Sequence, residues 1–154
     1  MLKYLIIGAG VTGLPIGAYL AEAGKDVTFI ARDALLKFSY VSPQGACGLY
    51  YNMSAGDIQK QGEIRDCFAG LVGEINSLAL AMDIQFDEDI VQRNLDILDT
   101  LTSNATTSLQ RDIADNHQSE IDGLIYEVVR LADKYGADVP LYRKIADELR
   151  KRGL

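Results

Sequence analysis

The chain has 154 residues, with 15 Lys and Arg against 22 Asp and Glu for a formal net charge of -7, and 48% of it is hydrophobic. That is enough to bury one sizeable core and too little for two full domains. The acidic balance argues against nucleic acid or an anionic membrane as the main partner. No apolar run reaches the ~18 residues of a membrane span, so the expectation is a soluble, cytoplasmic protein.

In chain order, Tyr4-Leu-Ile-Ile7 runs straight into Gly8-Ala-Gly10-Val-Thr-Gly13. An apolar run ending in Gly-x-Gly-x-x-Gly predicts a strand, a tight turn at Gly8, close approach of a pyrophosphate at Gly10, and helix-on-strand packing at Gly13. The helix, from Leu14 to Ala23 and stopped by Gly24, would point its unpaired N–H groups at the phosphates. A second strand, Val27-Thr-Phe-Ile-Ala-Arg32, follows at the expected distance. Lys3, the apolar run and Ala21-Glu-Ala23 also have the outline of a secretory signal, but a signal's core does not need three glycines at these spacings. Arg32 closes the second strand where an NAD site usually carries Asp or Glu. A guanidinium there can pair with a 2′-phosphate, so the implied cofactor is NADP(H), with Asp33 as an alternative partner for the ribose.

From Leu35 onward the pattern is helix and helix connection. Glu63 to Met82 places Ile64, Cys67, Phe68, Leu71, Val72, Ile75, Leu78, Ala79 and Met82 on one helical face, with Gly70 and Gly73 suited to close packing. Asp87 is expected to cap a helix carrying Ile90, Val91, Leu95, Leu98 and Leu101. The polar stretch from Thr102 to Thr107 breaks the pattern before a helix near Ser108. Another helix, starting at Gln118 or Ser119, should bury Ile121, Leu124, Ile125, Val128, Val129 and Ala132 and stop at Gly136. Pro140 sits in the first turn of a last helix ending in Arg150-Lys-Arg152, favourable charge for a helix C-terminus. Cys47 and Cys67 lack metal-like spacing and read as buried, reduced thiols, and no metal site is expected.

Ser108-Leu-Gln-Arg-Asp112, Ser119-Glu120-Ile-Asp122, Glu127-Val-Val-Arg130 and the Gly-x-x-x-Pro of Gly136 to Pro140 stand in an order that resembles the C-terminal helical domain of the ketopantoate reductase family, the NADPH-dependent 2-dehydropantoate 2-reductases. The glycine turn and Arg32 are similar to that family's opening, and Leu36-Lys37-Phe38-Ser-Tyr-Val-Ser-Pro43 resembles its interdomain helix. The resemblance implies an α/β N-terminal remnant of Rossmann type (β-α-β) over residues 1–33. A mainly α-helical, 6-phosphogluconate-dehydrogenase-like domain for substrate and dimerisation would cover 34–154. It also implies reduction of a 2-keto acid by NADPH, with Lys37 as proton donor, Glu120 holding the lysine and a substrate hydroxyl, and Ser108 on the substrate carboxylate. Gly8, Gly10, Gly13 and Arg32 would hold the cofactor, and a homodimer is expected. Asp112 is expected to support its loop and His117 to be a solvated loop residue.

The chain departs from the family at two points. Asparagines expected one and two helical turns beyond the lysine are Val41 and Gly45, which leaves the substrate open. The middle of a dinucleotide-binding sheet of about six strands is also absent between the second strand and Lys37, which predicts impaired activity. The alternative reading is a non-catalytic helical dimerisation or binding module with a vestigial nucleotide turn. A flavin or NAD oxidoreductase fragment sharing only the glycine turn would leave Ser108 to Asp122 unexplained.

Overall fold

A computed structural model describes residues 3–7, 20, 22–24, 26–30 and 32–154, with the backbone alone at 3–7, 26–30 and 32–34. The chain divides into two compact units, Met1–Phe38 and Ser39–Leu154. In the first, β1 (Lys3–Ile7) pairs in parallel with β2 (Asp26–Ile30), in register from Lys3 opposite Asp26 to Ile7 opposite Ile30. A parallel pair needs a crossover between its strands. Residues 20 and 22 are helical, and Gly24 ends that segment at φ +69°, a left-handed conformation that favours glycine. Gly8, Gly10, Gly13 and most of the helix expected from Leu14 lie outside the described residues. β2 ends at Ile30, and Arg32 opens a helix instead of closing the strand.

That helix, α1 (Arg32–Tyr51), runs 20 residues straight through Pro43. A proline inside a helix removes the donor for the carbonyl four residues back. Here that carbonyl belongs to Ser39, and Asn94 Nδ2 donates to it at 2.9 Å and to Ser39 Oγ at 3.0 Å. The helix therefore continues to a C-terminal end where Arg152 Nη1 donates to the carbonyls of Leu49 (3.2 Å) and Tyr50 (3.1 Å). The expected match of C-terminal basic charge to a helix end is thus made in part to α1, while Arg150 and Lys151 stay in the last turn of their own helix.

After α1 come α2 (Ala55–Gln59), α3 (Glu63–Ala81), α4 (Ile90–Thr100) and α5 (Ser108–Ala114). A π-helical turn (Asp122–Tyr126) then leads into α6 (Glu127–Tyr135), and α7 (Pro140–Lys151) follows. α3 is central and packs on α2, α4, α6 and α7. Its Phe68, Leu71, Val72 and Ile75 meet a core completed by Ile125, Val128, Ala132, Tyr142, Ile145 and Leu149. Each such side chain contributes ~1.5–3 kcal/mol when fully buried. Of the two glycines expected to let helices approach, Gly70 does so: a Cβ there would stand 2.5 Å from Leu141 Cδ1 of α7. Gly73 has nothing within 4 Å.

Two helix starts differ from expectation. Asp89, not Asp87, caps α4, its Oδ1 accepting from the N–H of Val91 (3.0 Å) and Gln92 (3.1 Å). The helix expected from Gln118 or Ser119 begins only at Ile121, because its first turn is π-wound with the Glu127 N–H donating to the Asp122 carbonyl. The wider turn shifts the buried face, so Tyr126 joins Ile125 inside while Ile121 and Leu124 are half-buried. Gly136, at φ +72°, ends α6, and Pro140 occupies the first turn of α7. Among the described residues no helix is long and apolar enough to cross a membrane.

Candidate functional site

Ser108, the first residue of α5, is exposed, and its position is set by its neighbours. Thr107 caps the helix by accepting from Gln110 N at 3.2 Å, while Gln110 Oε1 accepts from Thr107 N at 3.0 Å. This reciprocal pair satisfies two of the donors a helix start leaves open. Gln110 Nε2 then donates to the Met53 carbonyl at 2.9 Å, which ties the start of α5 to the loop after α1. Leu109, 2% exposed, fills the space beside Gly45 with its Cδ2 3.0 Å from where a Cβ would stand. At Gly48 the Gln110 side chain comes within 2.5 Å of such a Cβ.

Two glycines one turn apart therefore let α1 receive the Leu109 and Gln110 side chains of the first turn of α5. They also account for one departure from the family pattern. An asparagine side chain at 45 would collide with Leu109, so the polar contact that the resemblance assigns there is replaced by apolar packing. Val41 is half-buried.

Glu120, also exposed, directly precedes the π turn, and its carbonyl accepts the Leu124 N–H at 2.9 Å. The turn is held from α1: Ser42 Oγ donates to the Leu124 carbonyl at 2.5 Å and lies 2.6 Å from the Tyr142 hydroxyl. With the serine proton committed to that carbonyl, the tyrosine hydroxyl is the donor of the second bond. Tyr142 is fully enclosed, and burial pushes its hydroxyl far above the usual tyrosine range. On the open side Arg130 grips Asp122 through two bonds, 3.0 and 2.7 Å, and bonds Glu127 as well. The guanidinium lowers the Asp122 pKa, and the two carboxylates raise that of Arg130.

Lys37 lies in α1, in the first unit, and is exposed. Ser108 and Glu120 belong to the second unit. Arg32 stands at the first position of α1 with its side chain outside the described residues, as are the three glycines of the turn. His117 is exposed, and its N–H donates at 2.7 Å to the carbonyl of Asp112, whose backbone thus closes the loop after α5.

The sequence reading passed over the polar groups that position these residues: Ser42, Asn94, Glu74 and Tyr142, all buried. Glu74 accepts from Leu141 N (2.7 Å) and Tyr142 N (2.9 Å), capping α7 from α3. Pro43 within a helical pattern was the available signal for Asn94, because it leaves a carbonyl that some other element must satisfy. No comparable signal marks Glu74, which lies among apolar residues as a surface acid would.

The family described as "Ketopantoate reductase PanE/ApbA C terminal" matches residues 30–153, and "Ketopantoate reductase PanE/ApbA" matches residues 4–46. No curated protein sequence matches the chain. Among solved structures it is similar to a dimeric ketopantoate reductase from Staphylococcus aureus, at TM-score 0.73 and 17% identity over 98% of this chain and 54% of that one. It is also similar to the 2-dehydropantoate 2-reductase from Methylococcus capsulatus, at TM-score 0.75 and 17% identity over 97% and 50%. A third likeness is to D-mandelate dehydrogenase, solved with NADH and anilino(oxo)acetate, at TM-score 0.67 and 17% identity over 94% and 82%. The chain thus spans about half the length of the ketopantoate reductases it matches. At such identities the structures speak for the fold, and the family match, running almost unbroken through the helical unit, identifies the chain as a member of the ketopantoate reductase PanE/ApbA family.

Proposed function

We propose that the chain is built for a nicotinamide-linked reduction of a 2-keto acid of ketopantoate type, and that it turns over poorly as it stands. The observation that carries this reading is the family match over residues 30–153, on a helical unit whose capping bonds set Ser108 at the start of α5 and in which Glu120 directly precedes the π turn. A reduced nicotinamide, NADPH by the argument from Arg32, would supply the hydride. The described part of the nucleotide unit fits such a cofactor: β1 and β2 are parallel neighbours in register, and the glycine turn follows β1 at the strand's carboxyl end, where α/β sheets bind their ligands. Gly8, Gly10 and Gly13 would hold the pyrophosphate.

In this reading Lys37 donates a hydrogen bond to the keto oxygen and gives up its proton as that oxygen becomes an alcohol. Ser108 donates to the substrate carboxylate, and Glu120 accepts from a substrate hydroxyl. Apolar packing at Gly45 argues for a substrate with less polar surface on that side. Low turnover is argued from the direct passage of β2, ending at Ile30, into α1 at Arg32, with no further strand among the described residues to flank a nicotinamide.

The test is an NADPH oxidation assay with 2-dehydropantoate and with less polar 2-keto acids. Rates well below about one per second are expected, and ordinary enzyme rates would overturn the claim of impairment. A second reading, a dimerisation or binding module of the same family, is favoured by the helical unit having its own complete core. Sedimentation as a monomer at micromolar concentration together with tight NADPH binding would remove it.

A further inference from the structure

We propose that Cys67 is an oxidation site for small hydroperoxides and that Cys47 resolves it, closing an intramolecular disulfide between α1 and α3. Contacts on both sides of the thiols join the two helices in opposite chain order. Tyr51 Oη donates to Glu63 Oε1 at 3.5 Å, and the rings of Tyr40 and Phe68 meet edge to face at 6.0 Å. Cys47 lies one turn before Tyr51 and Cys67 one turn after Glu63, each between the two contacts on its own helix, which brings the thiols together, and each perturbs the other's ionisation. Both are free.

The two thiols differ in access. Cys47 is 0% exposed, whereas Cys67 lines a surface pocket of about 280 Å³ with Tyr51, Glu63, Asp66, Leu141 and Lys144. A hydroperoxide can enter that space, whereas Cys47 presents no exposed surface.

The surroundings divide the labour in the same sense. The neighbouring Cys47 thiol is the largest influence favouring a Cys67 thiolate. The Tyr51 hydroxyl and the Lys144 ammonium act in the same direction, against burial and the Glu74 carboxylate, and the result is a pKa near 7. Its neighbour Cys67 and burial push Cys47 the other way, so Cys67 ionises first. Glu63 and Asp66 are the other charged groups on the pocket wall.

The chemistry then runs in two steps. The Cys67 thiolate attacks the distal peroxide oxygen; an S–O bond forms, the O–O bond breaks, and the alcohol or water leaves after taking a proton from solvent. The peroxide is reduced and Cys67 becomes a sulfenic acid. The Cys47 sulfur attacks the Cys67 sulfur, the S–S bond forms, the S–O bond breaks, and water departs with the Cys47 proton. Two thiols and one hydroperoxide give one disulfide, one alcohol (water, from hydrogen peroxide) and one water.

The experiment treats the full chain with hydrogen peroxide at pH 7 and maps it by non-reducing peptide mass spectrometry. A Cys47–Cys67 cross-linked peptide, two hydrogens lighter and reversed by dithiothreitol, is expected. In Cys47→Ser the resolving thiol is gone and Cys67 should accumulate as a dimedone-trapped sulfenic acid. A Cys67-linked dimer, Cys67 sulfinic acid beside a still-free Cys47, or no oxidation would each overturn the proposal. Because Cys47 is buried and its variant can fail to fold, iodoacetamide labelling of the unaltered protein gives an independent reading. Cys67 should label at least about tenfold faster than Cys47 at pH 7, with a half-maximal rate near pH 7, and equal rates would overturn it.

Discussion

Pro43 has no N–H, so the Ser39 carbonyl depends on Asn94, and both Ser39 and Asn94 are 0% exposed. Replacing Asn94 by Leu keeps the bulk and removes its bonds to the Ser39 carbonyl and hydroxyl, which should cost ~1–3 kcal/mol, the range for losing a buried hydrogen-bond partner. Pro43→Ala returns the missing N–H, so Asn94→Leu should cost distinctly less in that background. Urea unfolding of the four proteins checks this at constant m, and strictly additive losses would show that Asn94 does not serve the proline's carbonyl. Glu74 makes the same kind of bond to two N–H groups at the start of α7, and Glu74→Leu should also lose ~1–3 kcal/mol. Its carboxyl carries a pH signature, because burial outweighs the backbone donors and raises its pKa. A raised folded-state pKa means a contribution that is fully present below the unfolded value and is lost as pH rises through the folded one. The stability gap between the natural protein and Glu74→Leu should therefore narrow as pH climbs out of the carboxylate range. A gap that widens would reverse the sign assigned to Glu74.

Gly45 and Gly48 let α1 seat the start of α5, since Leu109 and Gln110 occupy the space their side chains would need. Gly45→Asn, which restores the family residue, should destabilise by ~1–3 kcal/mol through overpacking even though asparagine is the better helix former. Leu109→Ala should recover part of that loss by opening the space. Thermal unfolding of the pair decides it, and a neutral Gly45→Asn would mean that α1 and α5 are less closely seated than the 3.0 Å approach implies. The same elements show what was readable in advance. The long apolar periodicity of α3, the Gly136 stop and the Pro140 start were legible because each is a local rule of spacing or backbone conformation. Arg130 was legible only as part of an ordered motif. Its grip on Asp122 depends on a π turn, and nothing in Asp122-Gly-Leu-Ile-Tyr126 distinguishes π from α winding. The passage of α1 through Pro43 was hidden for a related reason, since the compensating donor lies 55 residues away. Ser108 and Glu120 fall at helix starts, where sequence reads well. The groups that hold the π turn after Glu120, Ser42 and Tyr142, are tertiary and carry no local signature.

The whole molecule is acidic, with a formal charge of -7, so a dinucleotide phosphate approaches against the average field and has to be held by local groups. Arg32 is the cation that the nucleotide argument rests on, and it opens α1 immediately after β2, at the end of the strand pair that bears the glycine turn. A guanidinium bonded to a 2′-phosphate is a charge-assisted contact worth roughly 1.5–3 kcal/mol. Arg32→Ala should therefore weaken NADPH about ten- to a hundredfold and leave NADH nearly unchanged. Calorimetric titration of both cofactors against both proteins measures this directly. Equal losses for the two would show that Arg32 does not read the phosphate. Absence of binding to the natural chain would show that the turn cannot hold a dinucleotide on a two-stranded pair, and the family's helical unit would then stand without its cofactor. Weak NADPH binding is the expected result. Gly8 to Gly13 can place the pyrophosphate only as well as β1 is fixed beneath them, and among the described residues β1 has the single hydrogen-bonded neighbour β2.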